Sequence, residues 1–199
     1  MHDRDQDRCG RSVAAYDANA SAYRVWAAAL SMQAQLQRFA AMARPGGIVL
    51  DAGCGTGRDL QALSAAGFRA VGMDLSAGML AEAAAASTPL VRSDLRRLGF
   101  ASATFDGVWA CASLVHLDAV AMAAALSELA RVVRPQAPLY VTVKAGADDE
   151  GWADSPHGRR WYHYWSSGAL HGAVEEAGLT VAGEDRSSPA WLGLYLRPS

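Results

Sequence analysis

Between Ile48 and Ala66 an uninterrupted apolar run, Ile48-Val49-Leu50, passes through Asp51-Ala52-Gly53-Cys54-Gly55-Thr56-Gly57 into a segment of helix character, Gly57 to Ala66. A run that short is not a buried helix; it suits a strand of a parallel sheet covered on both faces. Glycines at every second position permit a tight turn and let backbone approach a ligand, while the N–H groups of a helix start can face a carboxylate or phosphate. Such a bend suggests a nucleotide-type pocket, but it also occurs as a plain structural turn, so its context decides.

The same alternation continues downstream. Arg69 to Met73 reads as a second strand, Ala77 to Ala86 as a helix, Leu90-Val91 as a short third strand and Gly107 to Ala112 as a fourth. Ala119 to Val133 is a long Ala-rich helix, and Leu139 to Lys144 is a fifth strand after the turn Arg134-Pro135. Strands and helices joined by short links point to βαβ units and one parallel sheet with helices on both faces. After a helix at Gly168 to Glu176, strands Leu179 to Gly183 and Trp191 to Leu196 are separated by the turn Ser187-Ser188-Pro189, too short for a crossover, which predicts an antiparallel hairpin. Upstream, Ala20 to Met42 reads as one helix, stopped by Pro45-Gly46-Gly47. At 199 residues, 51% hydrophobic and 19% charged, the chain fits one globular domain.

Asp74 ends the second strand in Val71-Gly72-Met73-Asp74-Leu75-Ser76, where an acid can accept hydrogen bonds from ribose hydroxyls. Capping the following helix is its competing role, for which Ser76 is better placed. Two details favour S-adenosylmethionine over NAD as the ligand. The spacing of Gly53, Gly55 and Gly57 lacks the two residues that precede the third glycine of a dinucleotide fingerprint. Asp51 stands directly before the bend, where a carboxylate repels a pyrophosphate but can hold an ammonium; it can equally satisfy loop N–H groups.

The segment Leu50 to Gly57, followed by Val71 to Ser76, resembles the first two motifs of the class I S-adenosylmethionine-dependent methyltransferases. Phe105-Asp106-Gly107-Val108-Trp109-Ala110-Cys111 is similar to that family's fourth-strand region, and Leu129-Ala130-Arg131-Val132-Val133-Arg134-Pro135 to the helix and turn before its fifth strand. The family has Gly-Gly after that proline, whereas this chain has Gln136-Ala137. The resemblance covers roughly Tyr16 to Leu196 and implies a Rossmann-like α/β fold with seven strands in the order 3-2-1-4-5-7-6, strand seven antiparallel. It implies a cofactor site of Asp51, Gly53, Cys54, Gly55, Gly57, Asp74, Leu75 and Cys111, with Asp94 and Leu95 after the third strand, Asp94 meeting the adenine amino group. It also implies that Tyr16 and Tyr23 belong to a leader, about residues 1–43, that closes over the methionine end.

Strand four should deliver Cys111 and the residues after it to the reactive edge of the sheet, followed by His116. A histidine near neutral pKa could take a proton from an acceptor, or it packs and bonds to backbone; both roles stay open. Asp118 is a natural helix N-cap. The insertion at about 146–165 lies after strand five, over the expected pocket. Its Arg159, Arg160, Trp161, Tyr162 and Tyr164 either contact an acceptor or fill the interface under the last helix. Methyl transfer from a sulfonium is nucleophilic displacement, for which alignment matters more than a dedicated base.

A formal net charge of -2 gives no electrostatic reason for tight binding to a polyanion, so nucleic acid is an unlikely partner and a small-molecule acceptor the leading one. RNA or protein methylation and a catalytically silent S-adenosylmethionine-binding protein are the competing readings. Cys9, Cys54 and Cys111 lack metal-ligand spacing and are odd in number, so neither a metal site nor a disulfide framework is expected. With no signal-peptide core and no spanning apolar stretch, a cytoplasmic location without membrane attachment is expected. The oligomeric state is left open.

Overall fold

The computed structural model describes residues 2–84 and 88–199. Two helices lead the chain, α1 (His2–Ala27) and α2 (Gln33–Met42). The alternating part follows as β1 (Ile48–Ala52), α3 (Arg58–Ala65), β2 (Arg69–Asp74), α4 (Ala77–Ala83), β3 (Leu90–Arg92), β4 (Gly107–Ala110), a single 3-10 turn at Leu114–His116, α5 (Ala119–Val132) and β5 (Leu139–Ala145). It closes with β6 (Asp149–Ala153), β7 (Arg160–Trp165), α6 (Ser167–Glu176), β8 (Leu179–Asp185) and β9 (Trp191–Pro198).

Strands β3, β2, β1, β4 and β5 are parallel neighbours in that order. Strand β9 lies antiparallel along β5, pairing Leu139 with Leu196 through Lys144 with Trp191, and β8 lies antiparallel on β9. The order 3-2-1-4-5-9-8 is thus the expected seven-stranded one, with β9 as its antiparallel member.

Every central strand alternates between two cores because successive residues face opposite sides of a pleated sheet. Leu50, Val108, Ala110, Val141 and Val143 pack with Leu126 and Leu129 of α5 and Leu170 and Val174 of α6. Val49, Trp109 and Tyr140 point the other way, onto Phe39 of α2 and Leu60 and Leu63 of α3. The Trp109 and Tyr140 rings stack with centroids 4.2 Å apart.

Three expected helices or strands need correction, and the insertion takes a structure that the sequence reading had not assigned. The leader is two helices, broken at 28–32, and the first extends through the polar N-terminal stretch. Its apolar spacing still places Leu36 and Phe39 in the core, but Trp26 and Leu30 remain exposed. The insertion is a further antiparallel hairpin: β6 pairs with β7 from Asp149–Tyr164 to Ala153–Arg160, and β7 joins β5 in parallel through Lys144–Tyr164 and Ala145–Trp165. Strand four ends at Ala110, since Ala112 adopts φ +55, incompatible with an extended strand. Helix α4 ends at Ala83; residues 85 and 86 of the expected helix lie outside the described residues.

Candidate functional site

The chain turns from β1 into α3 with Gly53, Gly55 and Gly57 all at positive φ. A side chain at Gly53 would stand 2.2 Å from the Ser113 Cβ, so the loop after β4 can approach β1 only over a glycine. The Gly53 and Cys54 amides donate to the Met73 carbonyl, at 2.7 and 2.9 Å, while the Gly55 amide donates to Asp74 Oδ2 at 2.9 Å. Asp74 Oδ1 accepts from the Ser76 amide at 2.9 Å. Burial raises the Asp74 pKa; the amide bonds from Ser76 and Gly55 oppose that rise. Ser76 caps α4 by accepting from the Met79 amide at 3.1 Å, leaving Asp74 oriented toward the cavity.

Beneath the bend, Asp51 is only 2% exposed, and its Oδ2 has no hydrogen-bond partner among the described residues. Burial first, and the neighbouring Asp59 second, push its carboxyl well above the usual range. Asp59 is itself engaged: it receives a bidentate Arg58 contact at 2.6 and 2.7 Å and the Trp109 indole N–H at 3.0 Å.

These groups open onto a cavity of about 650 Å³ whose walls include Tyr16, Tyr23, Asp51, Gly53, Cys54, Gly55, Asp74, Leu75, Asp94, Leu95 and Cys111. Asp94 turns its carboxylate to Arg96, with Nη2 to Oδ2 at 2.7 Å. Half-burial alone would raise the Asp94 pKa, but the Arg96 guanidinium and backbone amide outweigh it and hold the group below the usual range. Burial pushes the Cys111 thiol up to about 12 and raises the Cys54 thiol as well, so both stay protonated near neutrality.

Helix α1 spans the mouth. Asp17 accepts from the Ser76 hydroxyl at 2.5 Å and the Gly78 amide at 2.8 Å, tying α1 to the N-terminus of α4. Ser12 Oγ accepts from the Trp161 amide at 3.2 Å, tying the same helix to β7. Between these anchors Tyr16 and Tyr23 meet edge to face, with centroids 5.6 Å apart.

His116 lies half-buried behind Tyr16. Its Nδ1 faces the Trp161 carbonyl, which can only accept, so Nδ1 carries the proton and Nε2 accepts from the Tyr16 hydroxyl at 2.9 Å. Burial holds the ring pKa at about 4, although the Trp161 carbonyl works against that shift. The imidazole is neutral near pH 7, with both nitrogens occupied.

Other expected residues sit elsewhere. Gly57 caps α3 and lies against Ala83, setting the α3–α4 approach rather than lining the cavity. On β7, alternation sends Arg160 and Tyr162 to the cavity and Trp161 away from it, where Trp161 is 2% exposed and covered by the Arg8 guanidinium at 4.8 Å. Arg159 precedes the strand, largely exposed, 3.8 Å from Asp154. Tyr164 shares the Tyr162 face but lies beyond the cavity lining. The sequence reading missed Asp17, Arg58, Asp59 and Lys144, whereas Ser113 lies in the stretch after strand four that it sent to this edge. A charged pair in the first helical turn after the bend was a readable signal for Arg58 and Asp59; nothing local marked the others. Among the described residues no His, Cys, Asp and Glu group is placed to hold a metal ion, and no helix is long and apolar enough to cross a membrane.

Residues 49–136 match a family described as a methyltransferase domain. The chain is 42% identical over 97 residues to the demethylmenaquinone methyltransferase of Mycolicibacterium paratuberculosis, covering 49% of this chain and 41% of that protein. It is 33% identical over 162 residues to the malonyl-[acyl-carrier protein] O-methyltransferase of Enterobacter lignolyticus, covering 76% of this chain and 61% of that protein. The chain therefore spans less than two thirds of either relative's length. Among solved structures, the fold is similar to the Burkholderia thailandensis 1,6-didemethyltoxoflavin-N1-methyltransferase with bound 1,6-didemethyltoxoflavin and S-adenosylhomocysteine. The TM-score is 0.71 at 22% identity, over 94% of this chain and 88% of that one.

Proposed function

We propose that this chain is a class I S-adenosylmethionine-dependent methyltransferase, which moves a methyl group from S-adenosylmethionine to a small-molecule acceptor by direct displacement; the match of residues 49–136 to a methyltransferase domain supports the reading. The observation that carries the reading is a buried carboxylate oxygen with no partner, Asp51 Oδ2, beneath a glycine bend whose far side is closed by Asp74. An unpaired buried carboxylate is costly unless a cationic ligand group answers it, as an ammonium would. Asp74 keeps acceptor capacity for ribose hydroxyls beyond its two amide bonds, since each carboxylate oxygen has two lone pairs. The residues present therefore fit S-adenosylmethionine.

When bound, S-adenosylmethionine supplies an electrophilic methyl on a sulfonium. Asp51, Asp74 and the bend would hold the donor. Asp94 and Leu95 would border its adenine, with the Asp94 carboxylate shared with Arg96. Tyr16, Tyr23 and Tyr162 would exclude water and align the acceptor, which for a displacement supplies much of the rate. Helix α1 acts as the lid in this reading, because it bridges α4 and β7 across the cavity. A cavity roofed by a helix and a hairpin suits a small acceptor better than a polymer. His116 is assigned a positioning role, orienting the Tyr16 hydroxyl through a fixed tautomer.

Calorimetry with S-adenosylmethionine, S-adenosylhomocysteine and NAD tests the cofactor part. We expect micromolar-range binding of the first two and weak binding of NAD; equal binding of NAD would overturn the assignment. A methyl-donor assay across phenols, amines, carboxylates, thiols, RNA and protein tests the acceptor part. Turnover confined to RNA or protein would refute the small-molecule reading.

A further inference from the structure

Two cations on the cavity wall have no acidic partner among the described residues. Arg160 is only 5% exposed; its guanidinium reaches the Ser155 hydroxyl at 2.7 Å and covers the Tyr16 ring at 4.7 Å, while its Nε meets no acceptor. The half-buried Lys144 ammonium lies 4.7 Å from the Tyr162 centroid and 5.4 Å from that of Trp191. Both flank Tyr162, since the Arg160 guanidinium is 5.8 Å from the same ring.

The acids on the cavity wall do not answer them. Asp59 is held by Arg58 and Asp94 by Arg96, and Asp185 accepts from Tyr140, Gln35 and the Ser187 amide. Asp74 serves Gly55 and Ser76. The charged groups that bear on Asp51 are Asp59, Arg58 and Asp74, not Arg160 or Lys144. Burial and then the Arg160 charge press the Lys144 ammonium below its ordinary pKa, as expected for two like charges without a counterion. Arg160 is the buried charge, and burying a charge without a counterion is costly; with the half-buried Lys144 beside it, the two cations are explained by an anionic ligand.

We propose that Arg160 and Lys144 form the acceptor subsite for a small organic oxyanion, a carboxylate or phosphonate with an apolar body lying against Tyr16 and Tyr162, which is methylated on its charged oxygen. The proposal rests on the methyltransferase reading above and narrows its substrate class. The step balances without a base: a lone pair of the acceptor oxygen forms the O–CH3 bond as the C–S bond of the sulfonium breaks with its electrons returning to sulfur. One negative and one positive charge vanish together, and no proton is released. This agrees with a site whose histidine has both ring nitrogens occupied and whose thiols stay protonated.

The test is calorimetry on the full chain saturated with S-adenosylhomocysteine, titrated separately with benzoate, phenylphosphonate and the neutral benzamide. Binding of either anion, with benzamide at least about tenfold weaker, is expected, given the strength of charge-assisted bonds. The preferred anion identifies the acid class. Arg160→Gln and Lys144→Met should each weaken that anion roughly ten- to hundredfold while S-adenosylhomocysteine affinity stays within about threefold. Equal binding of benzamide and benzoate in the unaltered protein, or no binding of either anion, overturns the proposal whether or not the variants fold. So does the reverse pattern in the variants, with cofactor affinity lost and anion affinity kept, because the cations would then hold the cofactor's own carboxylate. Benzoate binding without any S-adenosylhomocysteine binding would instead sink the methyltransferase reading and leave the anion site standing.

Discussion

Asp74 and His116 show how burial gives two titratable side chains opposite tasks. Asp74 is held by backbone amides with acceptor capacity to spare, so removing it should be felt in ligand affinity. We expect Asp74→Ala to weaken S-adenosylhomocysteine by about 1 to 3 kcal/mol, read by calorimetry, and unchanged affinity would sink its assignment to the ribose. His116 is a base whose charged form the fold disfavours, with a native pKa of about 4 against an ordinary 6.5. Between those values the unfolded chain binds more protons than the native one, so stability rises with pH across the window and the His116 contribution is fully present above it. Over that range it should amount to about 3 kcal/mol. Denaturant unfolding at pH 7.5 and pH 5 should show the unaltered protein losing more stability on acidification than His116→Gln, which cannot take up that proton. Equal losses would mean that the imidazole is not sealed from water.

The turn between α5 and β5 carries a strain the residue type does not relieve. Gln136 adopts φ +62, a region that favours glycine, where the family resemblance has Gly-Gly. A left-handed residue with a side chain costs about 1 to 2 kcal/mol, and glycine's extra freedom in the unfolded chain offsets part of its removal. Gln136→Gly should therefore stabilise the fold by about 0.5 to 1 kcal/mol, measured as a higher denaturant midpoint at unchanged slope. The Gln136 carbonyl, which accepts from Arg197, survives the substitution. The hairpin β6–β7 is the element with most influence on the site: one strand positions Arg160 and Tyr162 at the cavity and gives His116 its carbonyl partner from Trp161.

Across the molecule, one core binds α5 and α6 to the sheet and the other α2 and α3, while α1 lies over the cavity, tied to α4 by Asp17 and the Arg24–Glu82 ion pair and to the β6–β7 hairpin by Ser12 and the Arg8–Glu150 ion pair. A ligand held under a covering helix suppresses that helix's local opening. Hydrogen–deuterium exchange should show S-adenosylhomocysteine slowing exchange in α1 and the β6–β7 hairpin, with α5 and α6 little affected. Equal protection everywhere would argue against α1 as the lid.

Much of this was legible because it is local. Short apolar runs and glycine spacing mark β1, the bend and α3, so Asp51 and Asp74 could be read in advance, while the strand order came from the family resemblance. The same logic failed for 151–165, where every residue looked equally able to face a ligand. Only the pairing of β7 with β6 and β5 assigned alternate residues to opposite sides, sending Arg160 and Tyr162 inward and Trp161 outward. Lys144 and Asp17 carried no signal, because their partners lie many residues away in the chain and proximity between distant segments is a property of packing alone.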